Sequence, residues 1–400
     1  MDQALEKLLA AARPPARPDE RVALMEAFGR VLAEDIRSGM NVPEVDNSAM
    51  DGYAVRLADA ASFAAGLPVS QRIPAGSVPG PLAAGTAARI FTGAQVPPGA
   101  DAIVMQEQAT AAEGRVSFAT VPEPGAWIRP AGCDIAAGST ILRAGARLRP
   151  QDVALAASVG VAELAVRPRL RVATFFTGDE LAMPGEPLAP GKIYNSNRFL
   201  LRGLLEALPV VHADLGIVAD TLAATQEALR EAARGNDLVI TTGGVSVGEE
   251  DHVKPAVESL GALDLWSLAI KPGKPLAFGR IRREDGSEAA FIGLPGNPVS
   301  SLVTFALFVR PLLLGMAGAS DPLPPRAAMR ADFAWPRADR RREFLRVRRN
   351  ERGGLDLFPN QLSAVLTSTV WADGVVDNPS GQTIAPGDTV QFISFADLLK

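Results

Sequence analysis

The chain has 400 residues, 47% of them hydrophobic and 21% charged, which is enough apolar content to bury real cores and to exclude a disordered chain. A net charge of -5 and a pI of about 5.4 argue against a non-specific nucleic-acid binder, which favours a strongly basic surface. One cysteine, Cys133, excludes an intrachain disulfide framework and a thiolate metal cluster, and two histidines, His212 and His252, argue against a histidine-rich metal site.

The length predicts roughly two to four domains. No apolar run reads as long enough for a membrane helix, and Met1 to Lys7 lacks the basic-then-apolar order of a signal peptide. The expectation is a soluble cytoplasmic protein, with neither nucleic acid nor membrane as partner. In chain order, Ala4, Leu5, Leu8 and Leu9 predict an opening helix. Val22, Leu24, Met25, Phe28, Val31 and Leu32 predict a second, with Asp19 as its N-cap. From Met40 to Asp134 proline and glycine recur between short apolar runs, the texture of a β-rich domain. Arg149-Pro150-Gln151-Asp152 starts another helix, ended by Gly160. Packed against the opening helices, it would make the β-rich segment an insertion. Strands at Leu170 to Phe176, Val210-Val211, Leu238 to Thr241 and Ala290 to Leu294 then alternate with helices. Those helices are Phe199 to Leu208, Leu222 to Ala233, Val253 to Leu260 and Val299 to Leu314. Such alternation predicts a parallel sheet covered on both faces. After the linker Ser320 to Pro325, the runs Phe344 to Val347, Val370-Trp371 and Thr389 to Ile393 predict a small all-β module.

Polar loops carry the chemistry. Asp46-Asn47-Ser48-Ala49-Met50-Asp51-Gly52-Tyr53-Ala54 packs two carboxylates, an amide and a hydroxyl into nine residues. Turn chemistry alone would account for Asp-Asn-Ser and Asp-Gly, but the flanking apolar residues suggest a segment lying against protein, where carboxylates need partners or a task. Phe91-Thr92-Gly93-Ala94 is a second hydroxyl-glycine turn. Thr177-Gly178-Asp179-Glu180 and Thr241-Thr242-Gly243-Gly244-Val245-Ser246 both follow apolar strands. In parallel sheets ligands bind at such strand ends, where paired glycines let backbone N–H groups reach an anion. Glu249, Glu250 and Asp251 follow the second loop and are placed to hold a cation. Asp220 stands before a helix and reads equally as an N-cap. Lys271-Pro272-Gly273-Lys274-Pro275 holds two ammonium groups in one stiffened loop. Leu294-Pro295-Gly296-Asn297-Pro298-Val299-Ser300 presents an amide and helix N–H groups. Neither histidine sits in a serine-triad context, and no Walker A or dinucleotide fingerprint is present. The sum points to phosphate or oxyanion handling, with a divalent cation held by oxygen ligands.

Together these segments resemble the molybdopterin molybdenumtransferase family, the MoeA proteins, also found as the E domain of gephyrin. They stand in family order and span essentially the whole chain. The first and last are highly specific, whereas Thr-Gly-Gly also occurs in other molybdopterin-binding domains. The resemblance implies insertion of molybdate into adenylylated molybdopterin with release of AMP. It implies a multidomain α/β and β chain: a helical N-terminal dimerisation domain (1–44 plus 135–167), a β-rich inserted domain (45–134), a three-layer α/β/α molybdopterin-binding domain (168–318) and a small C-terminal β-barrel-like domain (319–400). An elongated homodimer, in which a partner's insertion completes each cleft, is also implied.

The resemblance carries residue roles as well. Asp51, Thr92, Glu180, Lys271 and Lys274 match catalytic positions. Arg129, Asp134, Thr242, Gly243, Gly244, Ser246, Pro295, Asn297, Ser300 and Ser363 match substrate contacts, and Asp220 and Asp251 match holders of Mg2+. Molybdopterin adenylyltransferase and apo-molybdoenzymes are the implied partners. One segment departs: Arg129-Pro130-Ala131-Gly132-Cys133-Asp134 lacks a basic residue and a glutamate often found there, and Cys133 in place of that acid is expected to be buried and inert. Two alternatives stand beside this reading. One is a molybdopterin adenylyltransferase or related nucleotide pyrophosphatase sharing only the Thr-Gly-Gly domain; the extra domains and the Asp51 segment argue against it. The other is a non-catalytic cofactor carrier or scaffold; the lack of an extended linker or second partner module argues against that.

Overall fold

The structure, a computed structural model, describes residues 1–244, 252–273 and 275–398. The chain forms two compact units, Asp35–Arg143 with Pro150–Glu163, and Met1–Glu34 with Ala144–Arg149 and Leu164–Lys400.

The first of these is built on a six-stranded sheet. Its strands are β1 (Gly52–Val55), β2 (Leu67–Ile73), β3 (Ala87–Ile90), β4 (Ala102–Met105), β5 (Ala109–Ala112) and β6 (Arg115–Phe118), in the spatial order β4-β1-β3-β2-β6-β5. Strand β1 is buried on both faces. Tyr53 and Val55 pack with Phe63 and Phe118, while Ala54 packs with Ile73, Ile90 and Ile103 on the other side. Gly52 opens β1 because a Cβ there would stand 2.1 Å from Val104 O; only glycine lets the two strands approach so closely. The close pairing fixes Asp51 at the strand's start. The helix Pro150–Ser158 belongs to this unit, against the short strand Thr140–Leu142, whereas the opening helix belongs to the other.

The second unit starts with α1 (Asp2–Ala11). The helix expected over Val22 to Leu32 does not form. Glu20–Ala23 is a strand, Leu24–Glu26 a 3-10 turn, and Gly29 breaks the run at φ 72. Its apolar residues do not share one face: Val31 and Leu32 are buried and bridge to Arg147 and Val166, while Met25 is 81% exposed. Asp19 caps nothing and instead accepts from Arg167 Nη1 at 3.1 Å.

The central sheet contains β7 (Leu170–Thr177), β8 (Val210–Val218), β9 (Leu238–Thr242), β10 (Gly261–Ser267), β11 (Pro275–Arg282) and β12 (Glu288–Leu294), in the order β8-β7-β9-β12-β11-β10. The first four are parallel. The last two run antiparallel, which corrects the expectation of a wholly parallel sheet. The reason is connection length. Only the turn Arg283 to Ser287 joins β11 to β12, closed by Arg283 N–H to Ser287 O at 2.8 Å, far too short for a parallel crossover. Helices α2 (Ser196–Glu206), α3 (Leu222–Ala233) and α4 (Val253–Leu260) pack with the sheet.

Helix α5, Pro298–Met316, is the core of this unit. By length and composition alone it is apolar enough to cross a membrane, which corrects the reading that no run is. Yet 94% of it is buried inside the fold. Phe305, Phe308, Leu312 and Leu313 pack with Leu8 of α1, Leu294 of β12 and Phe344 further on. Buried on all sides, it reads as a core helix.

Beyond it, β13 (Ala327–Arg330), β14 (Arg342–Arg349), β15 (Leu355–Leu357), β16 (Gly374–Asn378) and β17 (Thr389–Ser394) pair as β15-β14-β16-β17-β13. The bridge Ala331–Leu355 joins the end of β13 back to β15, so the pairing closes into a small barrel-like sheet around Phe333, Leu345, Val376 and Phe392. Val370-Trp371, read as a strand, belongs to the helix Thr367–Trp371, with Val370 86% exposed.

Candidate active site

Three loops meet at the carboxyl ends of β7, β9 and β12. Register sets them level: Phe176 faces Thr242, and Thr242 faces Leu294. Gly243 and Gly244 have φ of 88 and 59, a backbone that side chains rarely adopt. A Cβ on Gly243 would stand 2.6 Å from Thr177 O, and one on Gly244 would stand 2.7 Å from Val253 Cγ2. Gly243 N–H donates to Leu294 O at 3.2 Å, and Gly296 lies against Gly243. Thr177, Thr242, Gly243, Gly244 and Pro295 are thus brought to one rim, as the sequence suggested.

Glu180 is exposed beside it, its carboxylate folded over Gly178 where a Cβ would stand 2.6 Å away. Asp220 borders the same rim, its N–H 3.4 Å from Asp179 Oδ1. It is not the N-cap of α3: Thr221 is, its hydroxyl accepting from Ala224 N–H at 3.3 Å. Asn297 is the N-cap residue of α5 without a side-chain cap bond, so its amide is free of that duty. Val299 N–H donates to Ser363 O at 3.1 Å, which places Ser363 beside Ser300. Buried Arg346 anchors that segment by donating to Leu362 O at 3.2 Å; burial pushes its guanidinium down to about 10. Gly273 sits on the same helix start, since a Cβ there would meet Thr304 Oγ1 at 2.9 Å and Ser300 Cβ at 3.5 Å. Lys271 is carried on the two-residue strand Ile270–Lys271, paired with Arg342–Glu343 of β14. Its Nζ lies 2.9 Å from Glu343 Oε1. Ser246, Asp251 and Lys274 lie outside the described residues.

In the other unit, Asp51 and Thr92 form a single device. Thr92 donates both its N–H, at 2.8 Å, and its hydroxyl, at 2.7 Å, to Asp51 Oδ1. The Thr92 N–H, then its hydroxyl, holds the Asp51 carboxyl below the ordinary aspartate value. Arg129 is brought near through the pairing of Ile128–Arg129 with Asn47–Ser48. Asp134 is tied through its N–H to Val42 O at 3.0 Å. Cys133 is exposed, not buried; the loop is held by Ala131 N–H on Asp46 Oδ1 and by main-chain bonds, none of which uses the thiol.

The sequence reading missed Asn195 and Asn197. Asn195 caps α2, and Asn197 Nδ2 donates to Gly296 O at 2.7 Å. Asn197 Oδ1, Asn195 Nδ2, Thr177 Oγ1, Thr241 Oγ1 and Thr304 Oγ1 are buried with no hydrogen-bond partner among the described residues. Buried polar atoms are normally paired, and these five lie on β7, β9, α5 and the start of α2, the elements that carry the rim. The signal was available: Asn195-Ser196-Asn197 sets two amides at a helix start. The described residues contain no group of three His, Cys, Asp or Glu side chains able to enclose a metal.

Three family models match in chain order: the MoeA N-terminal region (domain I and II) over residues 1–160, a probable molybdopterin binding domain over 173–315, and the MoeA C-terminal region (domain IV) over 328–395. The class is therefore a multidomain chain built around a molybdopterin-binding domain. A protein of Haemophilus influenzae named molybdopterin molybdenumtransferase is 42% identical over 420 residues, covering 100% of this chain and 99% of that one. A molybdopterin molybdenumtransferase 2 of Mycobacterium tuberculosis is 36% identical, with 96% of each chain covered. The solved molybdopterin biosynthesis MoeA protein of Pyrococcus horikoshii superposes with a TM-score of 0.83 at 29% identity, covering 98% of this chain and 99% of that one. This chain belongs to the MoeA family of molybdopterin molybdenumtransferases.

The Asp51–Thr92 bond sets a testable pH dependence. A depressed carboxylate contributes stability that is present above its unfolded pKa and lost as pH falls through the folded value. Thr92→Val keeps the N–H and deletes the hydroxyl, so the Asp51 pKa should rise part of the way to the ordinary value in a 13C carboxyl titration. A curve superimposable on wild type would remove the hydroxyl as a cause.

Proposed function

We propose that this chain completes the molybdenum cofactor by inserting molybdate into adenylylated molybdopterin, with release of AMP, giving Mo-molybdopterin. The observation that carries the reading is the glycine-lined rim, with the amides of Asn195 and Asn197 beside it, on a chain related end to end to molybdopterin molybdenumtransferases. Backbone N–H groups of the Gly243-Gly244 loop and the start of α5 suit the pyrophosphate of an adenylate. Lys274 and Arg129 add positive charge toward phosphate or the molybdate dianion. Asp51, held ionised by Thr92, organises molybdate or its attack on the adenylate, and Glu180 acts at the Gly243-Gly244 rim. The dithiolene sulfurs belong to the substrate, so the protein needs no thiolate of its own.

Asp220 and Asp251 are the proposed holders of Mg2+. It commonly takes one or two carboxylates and completes its shell with phosphate and water, which suits Asp220 with Asp251 better than an all-protein cage. When bound it would neutralise pyrophosphate charge. The protein is proposed to act in the cytoplasm as a homodimer, receiving its substrate from molybdopterin adenylyltransferase and passing product to apo-molybdoenzymes.

The direct test incubates the protein with adenylylated molybdopterin, Mg2+ and molybdate and follows AMP. Asp51→Ala should lower the rate by roughly a hundredfold or more, the range of a positioned acid–base group, while pterin-nucleotide binding survives. Full activity in that variant would sink the role. Asp251→Asn should raise the Mg2+ concentration needed for AMP release, and an unchanged titration would leave these acids structural. Whether two chains complete each site is read by mixing Asp51→Ala with Lys274→Ala protein. Random exchange gives about half heterodimers with one intact site each, so about a quarter of wild-type activity should return. No recovery in verified heterodimers would mean that each site is built from one chain.

A further inference from the structure

Lys271 is not a free cation awaiting an anion. Its Nζ stands 2.9 Å from Glu343 Oε1 and 3.5 Å from Asp339 Oδ2, and 5.8 Å from the Trp335 ring centre. Glu343 has only 1% of its side chain exposed. Its other oxygen accepts from Trp335 Nε1 at 2.7 Å and from Asn378 Nδ2 at 3.5 Å. Asp339 is itself engaged by Arg341 at 2.9 Å, which leaves Lys271 as the cation for Glu343. The backbone supports the pair, because Lys271 and Glu343 are register partners across the Ile270–Lys271 and β14 strands.

A buried carboxylate left without its cation is costly, so Glu343 restrains the ammonium from swinging into solvent. The Lys271 side chain is still 38% exposed. An ammonium has three donors; two face Glu343 and Asp339, and the third meets no acceptor among the described residues, which leaves it for a ligand. The opposite end of the loop is seated on Ser300 and Thr304 through Gly273. Lys271 is therefore clamped between the start of α5 and the C-terminal sheet.

We propose that Glu343 is a positioning residue for the transferase reaction: with Trp335 and Asn378 behind it, it aims the Lys271 ammonium at the substrate, so that the C-terminal sheet sets the geometry of the α/β site. The inference rests on the function proposed above for the loop, and two readouts keep them separate. The chain has six lysines, so 15N spectra of their ammonium groups can be assigned by substitution. Lys271 should show a slowly exchanging ammonium signal that broadens or vanishes in Glu343→Gln, which puts an amide donor where the carboxylate was. This readout needs no substrate. In the AMP assay, Glu343→Gln should lower kcat/KM roughly 10- to 100-fold, the loss seen when partners that orient a working ligand are removed. In a Lys271→Met background the same change should cost less than about twofold, as for residues acting as a unit. Melting curves confirm that each variant is folded. If Glu343→Gln does not fold, Trp335→Phe, which deletes the other strong hydrogen bond to that carboxylate, takes its place in both readouts. An unchanged Lys271 signal, or rate effects that multiply across the two sites, overturns the proposal. Absence of AMP release from wild type overturns the functional reading, and the ammonium signal still decides the positioning.

Discussion

The approach of Gly243 to Thr177 is the constraint on which the α/β site depends. With a Cβ at position 243 standing 2.6 Å from a carbonyl oxygen, no other residue lets β7 and β9 end so close together. The left-handed backbone at Gly243 and Gly244 is a second demand for glycine at the same place. The same closeness lets Gly296 lie against Gly243 and puts its carbonyl within reach of Asn197. One steric requirement thus sets the loops after β7, β9 and β12 and the first turn of α2 relative to each other. A floor of backbone and small polar atoms results, which suits an anion with a flat polar body better than an apolar ligand.

The parts of the fold that were legible in the sequence are those where burial leaves a continuous apolar run. Leu238 to Ile240 and Val172 to Phe176 are buried on both faces, and their polar glycine endings marked the rim at once. Strand β10, where no residue from Gly261 to Asp264 is fully buried, was missed for the opposite reason. Arg280 and Asp264 are both substantially exposed and pair with each other at 3.3 Å, so the run carries charge on one side and resembles a loop. The false second helix arose because residues with helical spacing, Val31 and Leu32 among them, are core strand-bridge residues, while Met25 and Phe28 face water. Spacing alone does not reveal which side of the chain is inside.

For the site, the residue types were legible but their partners were not. Asp51 and Thr92 are 41 positions apart and share one oxygen; Lys271 and Glu343 are 72 apart. Pairings at such separation are made by topology, through β1 beside β3 and through a two-residue strand laid on β14. The sequence showed two lysines that would repel each other unless an anion held them. The structure supplies an anion for one of them from the protein itself: Glu343, buried on β14, holds the Lys271 ammonium in place.

The departure from the family at Cys133 looks different in this light. The segment Arg129 to Asp134 keeps its course through its own N–H groups: Ala131 N–H donates to the Asp46 carboxylate Oδ1 at 2.8 Å, Gly132 N–H to Pro43 O at 2.9 Å and Cys133 N–H to Pro130 O at 3.2 Å. None of these uses the side chain at 133, which is exposed. Replacing an acid there therefore removes one negative charge from the surface beside Arg129 without altering the loop's path. Surface charges beyond contact act on ligand approach more than on fold. With fewer acids beside it, Arg129 presents a less compensated positive charge, and the loss of the neighbouring basic residue is offset in part by the loss of the neighbouring acid.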